Sequence, residues 1–278
     1  MDGQFKNYIL IVVGLAAVIL LIVTLIYWIN FASYTISKNT SDWGQFGAYI
    51  GGVAGVFLTL LTIILLIITL YSQNRNATIS QFESSFFGFL RLHKEITDRI
   101  SGTVDIPIIY ESGGEEFKGL MYFEKLSKET QNKFDNNADI ILKKHCDDIE
   151  YKHMLEDKTQ MQKTIDSFYN ELYQGRESEL GHYFRSLYHL IKFVNDSQIG
   201  NKKRYIDLIQ AYLTDSELHC TFYNGAAIYG RERLKSLLDD YSFLENIKPK
   251  GEIFEKQFDM FYPKTFINYK KKPRPSIH

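Results

Sequence analysis

Two stretches without a charged residue open the chain, residues 8–28 and 49–71, and each is long enough as a helix to cross the roughly 30 Å hydrocarbon core of a bilayer. Residues 56–70 alone hold a dozen Val, Phe, Leu and Ile side chains, which together favour insertion by roughly 4 to 7 kcal/mol. That outweighs the Gly and Thr residues in the same segment. Lys6, Lys38, Asp42 and Arg75 flank the stretches, so no ionised group must enter lipid. Tyr8, Tyr27, Trp28, Trp43, Tyr49 and Tyr71 stand near the ends, where aromatic side chains favour the headgroup belt. The pattern predicts a two-helix transmembrane hairpin over residues 1–75, with spans of about 8–28 and 47–71.

Beyond Arg75 the apolar positions take up helical spacing. Ser80-x-x-Glu83 has the form of a capping box and predicts a new helix there, with Phe82, Phe86, Phe87, Leu90 and His93 on one face. Residues 101–119 break the pattern: 106–110 are strand-like and Ser112-Gly113-Gly114 is turn-like, so a short β-hairpin is expected. Helical patterns return over 117–132, 137–153, 159–173, 178–196, 202–223 and 231–246, and no proline lies between Pro107 and Pro249 to interrupt them. The expected fold is mainly α: the hairpin, then an all-α cytoplasmic domain over 76–250 with at most one small β-hairpin, then a basic C-terminal tail over 251–278.

Charge and cysteine refine this picture. The 278 residues carry 32 Lys and Arg against 33 Asp and Glu, yet Lys264, Lys270, Lys271, Lys272 and Arg274 follow Asp259 with no acidic residue among them. Such a tail either lies on anionic lipid, each cation contributing about 1 kcal/mol, or is a solvated end. Cys146 and Cys220 are too few for a disulfide-stapled scaffold and favour a reducing compartment. Lys6, Arg75, Arg91 and Lys94 bias both termini and the large domain to the cytoplasm, leaving residues 30–42 as an external loop. The first stretch exceeds a signal-peptide core and a second span follows it, so it reads as an anchor.

Candidate chemistry is sparse. Gly47, Gly51 and Gly55 form a small-residue ridge, which serves either for packing on the first span through Gly14 and Ala17 or for self-association into a homo-oligomer. His182, Arg185, His189 and Lys192 gather on one side of a helix, opposite Phe184, Leu187, Tyr188, Ile191 and Val194. That face suits RNA phosphate, an acidic partner or general acid–base work, or is simply solvated. Arg185, Lys192, Lys270, Lys271 and Lys272 are the candidate binding cations. His145-Cys146 and His219-Cys220 have metal-ligating atoms, but helical neighbours point about 100° apart, so buried thiols beside partly exposed histidines are expected instead. Asp147, Asp148 and Glu150-x-Lys152 read as a solvated helical face. Neither a Gly-rich phosphate loop nor a Gly-x-Ser-x-Gly turn occurs. The balance is against an enzyme, and no metal or cofactor is expected.

The segment Leu180-Gly181-His182-Tyr183-Phe184-Arg185-Ser186-Leu187-Tyr188-His189-Leu190-Ile191-Lys192-Phe193-Val194 resembles the phage abortive infection proteins, an AbiC-like bacterial family. The likeness continues through residues 205–218, Phe222-Tyr223-Asn224-Gly225, Trp43-Gly44-Gln45-Phe46-Gly47 and Phe82-Glu83-Ser84-Ser85-Phe86-Phe87. It implies an antiviral defence protein of the bacterial inner membrane, whose activation stops phage production, usually at the expense of the infected cell. A phage component or a neighbouring defence protein is the implied partner. Gln210 stands where an Arg-Ala-x-Leu block would have Arg, so a role for that Arg does not carry over. Arg185-x-x-x-His189 is similar to the Arg and His pair of HEPN-type ribonucleases, with a spacing one residue short. Three readings follow: a hairpin that disrupts the membrane on activation, a membrane-tethered ribonuclease acting on RNA through Arg185 and His189, and a non-toxic signalling scaffold.

Overall fold

The computed structural model describes residues 3–31, 33, 35–104, 115–145, 157–248 and 252–271. They form ten helices and one two-stranded sheet: α1 (Gly3–Phe31), α2 (Thr40–Arg99), β1 (Ser101–Val104), β2 (Glu115–Lys118), α3 (Gly119–His145), α4 (Lys158–Tyr173), α5 (Glu177–Asp196), α6 (Lys202–Tyr212), α7 (Asp215–Ala226), α8 (Leu234–Asp240), α9 (Glu252–Phe261) and α10 (Pro263–Lys271). The fold is mainly α, as expected. The chain divides into two compact units, Met1–Phe82 and Glu83–His278.

In the first unit, α1 and the N-terminal part of α2 are long and apolar enough to cross a membrane. Tyr27 meets Phe46 and Tyr49 with ring centroids 4.6 and 5.6 Å apart, and Val23 and Ala54 are buried. Most other large apolar side chains point outward, an arrangement that costs nothing in lipid but leaves a very large patch in water. The polar groups within these helices are satisfied internally: the hydroxyls of Thr24, Thr59, Thr62 and Thr69 each donate to the carbonyl four residues earlier at 2.7–2.8 Å.

The second unit is built around α7, in which every residue from Glu217 to Ala226 is buried. It packs on α3, α4 and α8. Phe222 of α7 meets Phe254, Phe258 and Tyr262, and Tyr223 meets Phe168 of α4. Gly225 is required there, because a Cβ would fall 2.5 Å from Tyr262 Oη. β1 pairs antiparallel with β2 in the register Ser101↔Lys118, and Gly119, at φ +56°, turns the chain from β2 into α3.

Several boundaries differ from the sequence pattern. No helix starts at Ser80: α2 runs on through Arg99, and the Glu83 carboxylate accepts from Tyr205 Oη at 2.8 Å instead of capping a new helix. The hairpin uses Ser101–Val104 and Glu115–Lys118, so Phe117 is in a strand, while residues 106–110 and 112–114 lie outside the described residues. The patterns at 117–132 and 137–153 merge in α3, which is described to His145. The expected helix over 202–223 breaks because Thr214 and Glu217 form a reciprocal capping box. The one over 231–246 shrinks to α8; Ser242 takes φ 52°, and the chain turns so that Phe243, Leu244 and Ile247 enter the core. Finally, much of the stretch expected as a basic tail is helical and core-forming: Phe254, Phe258, Phe261 and Tyr262 are buried, each large ring contributing about 2–3 kcal/mol.

Candidate functional site

Helix α5 carries the residues that the sequence singled out. Gly175, at φ +78°, turns the chain out of α4, and Glu177 and Glu179 complement the positive end of the α5 dipole. Leu180, Tyr183, Leu187, Leu190, Ile191 and Val194 are buried, which fixes the helix's rotation. His182, Arg185 and His189 therefore face outward, and Lys192 is half-buried.

Their individual settings differ. Arg185 folds back toward α4 over Gly181, where an added Cβ would lie 2.9 Å from both Arg185 Nη1 and Tyr173 Oη. Burial raises the Tyr173 pKa, and the Arg185 charge partly opposes that rise. Tyr173 in turn stacks on Tyr229 at 4.2 Å. His189 instead lies edge-on to Tyr188, with centroids 5.1 Å apart. Among the described residues no hydrogen bond joins Arg185, His189 and His182 to one another. Lys192 is paired with Asp196 at 2.6 Å, which raises its pKa. Lys270 is held by Glu255 at 3.1 Å and lies over the Phe266 ring at 4.9 Å. Lys271 ends α10, its side chain outside the described residues, as is all of Lys272.

The inner face of α5 holds the features that the sequence left unmarked. His93 of α2 is 3% exposed, its Nδ1 lies 3.0 Å from Ser186 Oγ, and its ring sits 4.8 Å from that of Tyr183. Burial, aided by the charge of Lys94, lowers its pKa from 6.5 to about 4, so the imidazole is neutral at pH 7. Tyr183 donates to Glu217 Oε1, and Glu217 Oε2 accepts from the Thr214 backbone and hydroxyl at 2.8 and 2.9 Å. A buried polar chain thus links α2, α5 and α7. A second buried link, Arg176 to Glu129 at 3.0 Å, ties the α4–α5 turn to α3. Both were present in the sequence only as ordinary polar residues on helix faces; Thr214-x-x-Glu217 was the one readable signal.

His219 is buried and lies 2.8 Å from the Lys248 carbonyl, not partly exposed as expected, because α7 is surrounded on all sides. Cys220 is buried, 3% exposed. Among the described residues no group of three or more His, Cys, Asp or Glu is placed to hold a metal. Cys146, Asp147, Asp148, Glu150 and Lys152 lie outside the described residues.

In the hairpin, a Cβ at Gly47, Gly51 or Gly55 would meet nothing within 4 Å, and the same is true of Gly14. Among the described residues the ridge is open at these positions, with no close packing against α1 there.

These features define a helical protein with two membrane-length helices and a soluble-type core whose centre is α7. Residues 175–251, from the α4–α5 turn through α8 and the turns after it, match the family described as putative phage abortive infection protein. That segment contains Arg176, Tyr183, Arg185, His189, Thr214 and Glu217, and so most of the candidate surface and its buried supports. No curated protein and no solved structure matches the chain.

Proposed function

We propose that this chain is a two-pass protein of the bacterial inner membrane that acts in abortive infection, with both termini in the cytoplasm and the helical unit as the part that responds to infection. The observation that carries this reading is the match of residues 175–251 to the abortive infection family in a chain that also has two membrane-length helices. In this reading the hairpin is the effector. Activation brings copies together, and the open ridge of Gly47, Gly51 and Gly55 lets neighbouring hairpins approach closely and breach the membrane. Among the described residues, a Cβ built at any of these glycines would meet no neighbouring group within 4 Å beyond its own helical turn, which supports a contact surface available to another chain. The test is phage infection of cells carrying the protein while a potential-sensitive dye is followed. Depolarisation before lysis, lost on replacement of Gly51 with Leu while the protein still accumulates in membranes, is the expected result. Depolarisation unchanged by that replacement rejects the mechanism.

A further inference from the structure

A cavity of about 980 Å³ opens at the loop end of the hairpin, wholly within the first unit. Tyr27, Trp28, Trp43, Phe46 and Tyr49 contribute aromatic rings to its wall, and among the described residues Asp42 is the one acidic side chain in the lining. The rings are mutually braced: Tyr27 lies 4.6 Å from Phe46, Trp43 meets Phe46 edge-on at 6.2 Å, and Trp43 Nε1–H donates to the Ser37 carbonyl at 3.0 Å. The remaining polar lining, including Asn30, Ser37 and Gln45, is uncharged.

Aromatic faces around a single carboxylate attract a cation through the ring quadrupoles and the negative charge, and would repel an anion. The cavity sits at the ends of two membrane-length helices whose outer faces are apolar, so a ligand with a cationic head and hydrocarbon tails can satisfy both regions at once. A volume near 1,000 Å³ is at the upper end for a small-molecule pocket.

We propose that this cavity, through Asp42 and the rings of Tyr27, Trp43 and Phe46, binds the ammonium headgroup of a phospholipid. The site rests on the membrane reading of the hairpin but not on the abortive infection match, since it uses no residue of 175–251. Trp28 and Trp43 are the only tryptophans in the chain and both line the cavity, so tryptophan fluorescence is sensitive to its occupancy.

The experiment titrates the full chain in maltoside micelles with short-chain phosphatidylethanolamine, with phosphatidylglycerol of the same chain length, and with glycerophosphoethanolamine, which has the headgroup and no tails. The expected result is a saturable tryptophan change with phosphatidylethanolamine at concentrations roughly tenfold or more below those needed for the other two. Asp42→Asn, which keeps a side chain suited to a helix start, weakens the phosphatidylethanolamine response by a similar factor with an unchanged far-ultraviolet spectrum. Equal responses to the two lipids overturn the proposal, as does a headgroup response as strong as the lipid's, which would make the occupant a free amine. An unchanged response in Asp42→Asn overturns it too. The lipid comparison on the native chain decides even if that variant fails to fold.

Discussion

Tyr183 donates its phenolic hydrogen to Glu217 Oε1 across 3.1 Å inside the helical core, while the other oxygen of the same carboxylate caps α7 through Thr214. One buried acid therefore both starts the central helix and holds it to α5. Burial and the neighbouring carboxylate keep the Tyr183 pKa well above its usual value, so the hydroxyl remains a donor at any working pH. Tyr183→Phe removes one partner of Glu217 and is expected to cost about 1–3 kcal/mol. Glu217→Ala removes the cap as well and should cost more. Urea unfolding of the full chain in detergent, followed by circular dichroism, measures both.

His93 gives the fold a pH dependence whose sign is fixed. Its pKa is about 4 when folded against 6.5 unfolded, so between these values the unfolded chain binds the extra proton. Its contribution is whole above about pH 6.5 and is lost progressively as pH falls toward 4, amounting to roughly 3 kcal/mol. His93→Gln is less stable at pH 7.5 but has a flatter stability profile between pH 6.5 and 4.5. Parallel profiles for the two proteins would contradict this.

Arg176 and Glu129 are 13% and 3% exposed, so their ion pair is desolvated. Removing one partner strands the other charge, and Glu129→Gln or Arg176→Met is expected to cost about 3–5 kcal/mol. The double variant should be more stable than the sum of the single losses implies, and a double-mutant cycle measures the difference.

Gly51→Leu places a large side chain on the open ridge, where an added Cβ meets no neighbouring group within 4 Å among the described residues. Folding and membrane accumulation are therefore expected to be retained while protection against phage falls sharply. Plaque counts alongside membrane fractionation separate the two effects.

His189→Ala should leave protection intact under the membrane reading. The imidazole is exposed and lies edge-on to the neighbouring Tyr188 ring, so its loss is expected to cost little stability. Loss of protection with normal accumulation would favour the ribonuclease reading instead.

Much of this architecture was legible in the chain. Length and apolarity alone identify α1 and the apolar part of α2, because a bilayer requires both whatever the rest of the protein does. Helical spacing places Leu187, Ile191 and Val194 inside and His182, Arg185 and His189 outside, since one rotation of the helix satisfies both groups. The candidate site was only partly legible. The sequence shows the outward cations, but not that Lys192 and Lys270 are already paired with Asp196 and Glu255, or that Arg185 and His189 turn to different neighbours.

The sequence by itself determined the composition of each helix face and the existence of two lipid-length helices, because these depend on residues near one another in the chain. Tertiary structure decided the rest through partners distant in sequence. Glu83 lies inside the unbroken α2 and its carboxylate accepts from Tyr205, and His93 is held neutral by burial against Tyr183 and Ser186. Residues 252–271 carry cations that suggest a basic tail, on lipid or solvated, yet Phe254, Phe258 and Tyr262 close over Phe222. The aromatic rings bury more apolar surface than the cations, kept at the rim, cost to accommodate.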